Sequence, residues 1–206
     1  MGGRYAVLLA QAGAEVSVIA RGAHLEAIRE KGLTMRLFDE DVATVQLPAT
    51  DDPGAVGAVD LVLFCVKAYD LETAAAQALP LFDEHTVVLP IQNGVTISPT
   101  LQQVIGEGAV LGGATYASGS VVEPGVISYG HIEAPILFGE LTGGESERTA
   151  KLQKALDDAG LPAELRADMP VVLWEKFVAI CASAGVLAVL RLPLGAAFVR
   201  PAPGGR

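Results

Sequence analysis

Asp60-Leu61-Val62-Leu63-Phe64-Cys65-Val66-Lys67-Ala68-Tyr69-Asp70 is the stretch on which the fold turns. An acid opens it, six apolar residues follow, and Lys67 stands where the run stops. A short unbroken apolar run between polar residues suits a strand buried on both faces, as in a parallel sheet. Ligands in open α/β sheets bind outside the carboxyl ends of the strands. Lys67 stands at that end. It reads either as a cation delivered to a site or as a surface lysine capping a strand, and this stretch does not separate the two.

Working outward, apolar spacing predicts a helix over 3–12, with Gly13 as its stop, and a strand over 15–20. A helix over 23–30 and strands over 33–38 and 42–47 follow, joined by the acidic turn Asp39-Glu40-Asp41. Downstream of the opening strand come a helix over 71–79 and a strand over 86–91, ended by Gln92-Asn93-Gly94. A helix over 98–104 has Pro99 in its first turn. The strand-like pieces at 109–117, 120–122, 125–129 and 136–138 are separated by Gly and Pro and predict an antiparallel extension of the sheet. Thr142-Gly143-Gly144 divides an expected nucleotide-binding domain, 1–143, from the start of a helical domain, 144–206. The second part carries a helix over 145–159, a short strand over 161–165 and a helix over 170–190, and the 200–206 tail is too poor in apolar residues to order itself. Alternating strands and helices followed by helices indicate an α/β, doubly wound sheet with a helical appendage.

The 206 residues are 51% hydrophobic and 18% charged, so a sizeable core is available, built mainly from Ala, Val, Leu and Ile because aromatics supply only 5%. A net charge of −10 argues against nucleic-acid or anionic-membrane partners, while leaving room for a local basic pocket. Cys65 and Cys181 both lie in apolar runs and are expected as buried, reduced thiols of a cytoplasmic protein. Residues 177–199 carry only Arg191 as a charge. Arg191, Pro193, Gly185 and Gly195 interrupt them, and a span needs about 20 apolar residues, so the expectation is a buried helix and no membrane. His24, His85 and His131 share no ligand-like spacing with acids or thiols, and no metal is expected.

A Rossmann sheet normally opens with a strand, a G-x-G-x-x-G turn and a helix. Met1-Gly2-Gly3 before an amphipathic helix reads as the last part of that turn, with Gly2 as the glycine that permits close helix–strand packing. Arg21 follows about 20 residues later, where an acid would bind the ribose 2′-hydroxyl of NAD and an arginine suits the 2′-phosphate of NADP.

Several motifs, in order, resemble the ketopantoate reductase (2-dehydropantoate 2-reductase) family. They are Val18-Ile19-Ala20-Arg21-Gly22-Ala23-His24-Leu25, Phe64-Cys65-Val66-Lys67-Ala68-Tyr69, Leu89-Pro90-Ile91-Gln92-Asn93-Gly94-Val95, Pro124-Gly125-Val126-Ile127, Phe138-Gly139-Glu140 and Leu173-Trp174-Glu175-Lys176-Phe177. The resemblance implies NADPH-dependent reduction of 2-dehydropantoate to pantoate, a step towards pantothenate and coenzyme A. It implies Lys176 as general acid, Lys67 and Asn93 lining nicotinamide and substrate, Arg21 at the 2′-phosphate, and Ser118 touching the cofactor. Such chemistry needs a positioned ammonium, because hydride attack on a ketone builds negative charge on its oxygen. Trp174 and Phe177 read as packing residues and Glu175 as a solvated charge. The substrate is a small 2-oxo acid, and a homodimer is compatible with the pattern.

Three departures qualify the resemblance. The first strand and most of the phosphate turn have no counterpart, so the sheet should lack its middle strand and one edge of residues 61–66 should be unpartnered. Unpaired buried backbone groups cost on the order of 1–3 kcal/mol each, which predicts weak folding or weak NADPH binding, and a start codon placed too late would account for it. The chain, read as truncated at both ends, carries only the beginning of a second domain. Ile180 and Ala184 occupy positions where many relatives carry asparagine. That keeps two alternatives in view: reduction of another small 2-oxo acid, and a non-catalytic remnant of the family.

Overall fold

The computed structural model describes residues 1–129 and 134–192; His131 and the 200–206 tail lie outside the described residues. Helix α1 (Gly2–Gln11) opens the chain and buries Arg4, Tyr5, Ala6 and Val7. Strand β1 (Val18–Ile19) and helix α2 (Gly22–Lys31) follow. Strands β2 (Leu33–Leu37) and β3 (Glu40–Val45) form the expected antiparallel pair. A two-residue strand, β4 (Ala49–Thr50), runs parallel to β1 with Val18 opposite Ala49. It is invisible in the sequence because the turn residues Asp51-Asp52-Pro53 follow at once.

Strand β5 (Leu61–Phe64) pairs in parallel with β6 (Val87–Pro90), Phe64 lying opposite Pro90. Helices α3 (Leu71–Gln77) and α4 (Ile97–Ile105) cover this pair through Leu71, Ala75, Ile97 and Leu101, which pack with Phe64 and Val88. No strand lies between β1 and β5 among the described residues: β1 pairs with β4 and β5 with β6. Helix α1 spans the interval instead. Its Tyr5, Leu8 and Leu9 pack with Leu61, Leu63 and Cys65, and its Ala6, Val7 and Leu8 with Val16, Val18 and Ala20. The expectation of a strand buried on both faces is therefore corrected: Phe64 is buried, but Leu61, Val62 and Leu63 are only half-buried. A strand paired along one edge has no second strand to complete its cover, and helix α1 covers it only in part.

The expected single antiparallel extension is two separate sheets. Strands β7 (Gly112–Thr115) and β10 (Ile136–Gly139) pair antiparallel, and β11 (Ala163–Leu165) adds in parallel to β10. Strands β8 (Glu123 at its end, from Gly119) and β9 (Val126–Tyr129) instead reach back to β2, giving the order β3-β2-β9-β8. Gly125, at φ 78°, anchors that return. Its N–H donates to His24 Nδ1 at 2.9 Å, and its carbonyl accepts from the Thr34 N–H at 2.9 Å. Helix α5 (Glu147–Asp158) is capped by Ser146 and packs Leu152 and Leu156 against Tyr5, Leu89 and Phe138. Thus α5 and β11, beyond residue 143, share the core of the preceding residues.

Helix α6 (Met169–Leu190) closes the described chain. Met169 and Val172 pack on Ala114 and Leu137. Its remaining length differs from the buried helix expected of it: Trp174, Val178, Val186 and Val189 are exposed, the last by 84%. It is long and apolar enough by composition to cross a membrane, with a mean hydropathy of 1.8. The apolar pattern is as read; what differs is that, among the described residues, the packing of Met169 and Val172 on β7 and β10 covers only the start of the helix, and burial falls away after the first two turns.

Candidate active site

Parallel pairing sets the carboxyl ends of β5 and β6 side by side, and the residues that follow them share one edge of the molecule. Lys67 comes three residues after Phe64, and Asn93 three after Pro90. Strand β7 crosses β6 so closely that a Cβ on Gly113 would stand 2.0 Å from the Pro90 carbonyl oxygen. Thr115, at the end of β7, then ties two helices to this edge. Tyr5 on α1 donates to Thr115 Oγ1 at 3.1 Å, and Lys176 on α6 donates from Nζ to the Thr115 carbonyl at 2.7 Å.

Lys176 is 5% exposed. Burial drives its pKa down from 10.5 to about 8, because taking an ammonium out of water disfavours the charged form. The Tyr116 ring lies below it, 5.6 Å from Nζ to centroid. Lys176 faces a cleft of about 160 Å³ between α6 and the loop after β6. Gln92, Asn93 and Gly94 form one wall; Leu173, Lys176, Phe177, Ile180 and Cys181, at helical spacing, form the other. The structure thus brings Lys176 and Asn93 together from opposite halves of the sequence.

The other candidates line a second part of the same edge. Gly2 begins α1 against the end of β5, where a Cβ would meet Cys65 Cβ at 3.0 Å. Ser118 is exposed, and its neighbour Gly119 packs against Met1, 3.5 Å from a constructed Cβ to the Met1 sulfur. Arg21 caps α2 and reaches Asp70, just past Lys67, at 3.5 Å, with both side chains substantially exposed. Lys67 is exposed at the start of the turn that leads into α3. Gly2, Arg21, Lys67 and Ser118 do not line the cleft that holds Lys176.

Cys181 corrects the expectation of two buried thiols. Cys65 is half-buried, its thiol pushed up to about 12 by burial, whereas Cys181 is exposed on α6 at the cleft. Among the described residues no cluster of three His, Cys, Asp or Glu side chains could hold a metal ion. The sequence reading passed over Thr115, whose role is its backbone carbonyl, a group no side-chain pattern reports. It also gave Gln92 no task, although Gln92 stands beside Asn93 at the end of a recognised strand.

The Ketopantoate reductase PanE/ApbA family model matches residues 1–143. A 2-dehydropantoate 2-reductase of Mesorhizobium japonicum is 34% identical over 198 residues, covering 85% of this chain and 60% of that protein. The crystal structure of 2-dehydropantoate 2-reductase from Porphyromonas gingivalis superposes with a TM-score of 0.86 at 33% identity, over 95% of this chain and 70% of that one. D-mandelate dehydrogenase, solved with NADH and anilino(oxo)acetate, shares the fold at a TM-score of 0.81 and 23% identity, over 93% of this chain and 62% of that one. The chain spans about 60% of the length of the Mesorhizobium relative. A family match over residues 1–143, joined to a fold that overlays 95% of the chain on a solved relative, makes this chain a member of the ketopantoate reductase family.

Proposed function

We propose that the chain serves NADPH-dependent reduction of 2-dehydropantoate to pantoate, in the cytoplasm, on the route to pantothenate and coenzyme A. One observation carries the reading: a buried lysine amine, Lys176 Nζ, is held by the Thr115 carbonyl inside a cleft walled by the Gln92-Asn93-Gly94 loop. A bound nicotinamide would supply the hydride. The chain's own residues do the rest. The Thr115 carbonyl occupies one of the three Nζ donors and fixes the side chain's direction. A second donor faces the ketone oxygen, stabilises the charge that builds there, and gives it a proton as the alcohol forms. A pKa of about 8 suits that task, since the ammonium is populated near neutrality yet is a stronger acid than an ordinary lysine. Asn93 contributes an amide beside it for substrate or nicotinamide.

The residues present fit the cofactor. Gly2 lets the start of α1 sit close against Cys65, the helix–strand packing role of the last glycine in a dinucleotide turn. Arg21 and Lys67 add two exposed cations on the same edge, and the Arg21 guanidinium suits a 2′-phosphate. Ser118 flanks the same end of α1. Ile180 on the cleft wall supports a second reading, a reductase of another small 2-oxo acid, because this position offers a substrate no hydrogen bond.

The test is NADPH consumption by the purified chain with 2-dehydropantoate. The expected result is turnover that falls by about a hundredfold or more in Lys176→Ala and survives in Glu175→Ala. A folded chain that consumes no NADPH, or a Lys176→Ala variant as active as wild type, overturns the reading.

A further inference from the structure

The cleft beside Lys176 holds a side chain that this mechanism leaves without a task. Gln92 lines it, and both amide atoms, Oε1 and Nε2, are shielded from solvent without a hydrogen-bond partner among the described residues. Buried amides are normally paired, because leaving one unpaired forfeits its hydration with nothing in return. The amide is therefore set up for a ligand that both donates and accepts. A 2-oxo acid group alone only accepts. A hydroxyl elsewhere on the substrate supplies the missing donor.

Among the described side chains of this wall, Gln92 supplies the shielded acceptor for a hydroxyl proton. Leu173, Phe177 and Ile180 are apolar, Lys176 Nζ only donates, and Asn93 is exposed at the mouth. We infer that Gln92 sets specificity for a hydroxylated 2-oxo acid: Oε1 accepts from the substrate's hydroxyl and Nε2 donates to an acceptor on the same molecule. This rests on the reading of the cleft as a 2-oxo acid site and narrows its substrate class. 2-Dehydropantoate carries such a hydroxyl, and trimethylpyruvate is the same skeleton without it. A site built to bond a hydroxyl rejects the analogue lacking it, because the site's own polar groups then stay unpaired.

Two measurements test this. The first compares kcat/KM for 2-dehydropantoate and trimethylpyruvate. Wild type should favour the hydroxylated acid by about tenfold or more, and Gln92→Met should bring that ratio towards one. An unchanged ratio in Gln92→Met overturns the inference. The second does not need turnover. The Gln92 side-chain amide is assigned in a proton–nitrogen spectrum by its loss in Gln92→Met, and the wild type is titrated with pantoate, its deoxy analogue and nicotinamide mononucleotide. A shift with pantoate that the deoxy analogue does not reproduce is the expected result. No shift, equal shifts with both acids, or a shift with the mononucleotide alone overturns it. Should the chain consume NADPH with neither acid, the reductase reading has failed, and the spectra still decide what Gln92 binds.

Discussion

Replacing Lys176 with methionine is expected to stabilise the protein while abolishing its proton donor. Lys176 is 5% exposed and, among the described residues, forms no ion pair with a carboxylate, so its buried charge meets the Thr115 carbonyl and the Tyr116 ring but no counter-ion. Burial lowers its pKa from 10.5 to about 8. At about 1.36 kcal/mol per pH unit, holding the ammonium charged costs about 3 kcal/mol near pH 7. Between about pH 8 and 10.5 the folded chain binds fewer protons than the unfolded one. Stability therefore rises with pH across that window, and the full cost applies below it. Methionine matches the length without the charge. It leaves the Thr115 carbonyl without its donor, a loss of about 1–2 kcal/mol. The net gain near neutrality is about 1–2 kcal/mol, or roughly 2–8 °C in Tm. Urea and thermal unfolding near pH 7 and near pH 10 measure it. The advantage should be present at the lower pH and shrink at the higher. A variant less stable than wild type near neutrality, or one that keeps the wild-type pH slope, refutes the reasoning.

Arg148→Met should cost about 2–3 kcal/mol, because Arg148 donates Nε at 2.8 Å and Nη2 at 2.5 Å to the Glu140 carboxylate. Arg148 chiefly, and Ser146 in addition, hold Glu140 below its ordinary 4.5, so this stabilisation is complete above that value and is lost as pH falls through the lower folded one; acid titrations of unfolding should show a shallower slope in the variant. Hydrogen exchange should separate β5 from β6. Strand β6 meets β5 on one side and Val110 on the other, whereas β5 meets only β6 among the described residues, so alternate amides of Leu61–Phe64 should exchange much faster than those of Val87–Leu89. Arg21→Ala should weaken adenosine 2′,5′-bisphosphate by about tenfold or more, the worth of a charged hydrogen bond, and leave AMP unchanged, as read by calorimetry.

Much of this architecture is legible in the residues. The strand at β5 is announced by its apolar run and α6 by its length. What local pattern could not report is how far burial extends. Leu61 and Val62 read as core residues, yet their burial depends on a second neighbouring strand, which lies in tertiary structure. Cys181 sits in an apolar run as Cys65 does, but the run belongs to a helix covered only near its start. The site divides in the same way. Lys176 and Asn93 come from motifs, while Thr115 acts through a carbonyl and Gln92 through an amide whose isolation only the packed cleft reveals. The hairpin of β8 and β9 turned back to β2 because Gly125 bonds to His24 and Thr34, contacts across about a hundred residues of chain that no local window contains.

The central claim, that Lys176 protonates the ketone oxygen, is tested most directly by the rate of NADPH consumption as a function of pH. Reduction needs the ammonium form. The rate with 2-dehydropantoate should hold on the acid side of about pH 8 and fall as the pH rises through that value. A rate that stays flat or increases from pH 8 to about pH 10 would contradict the claim.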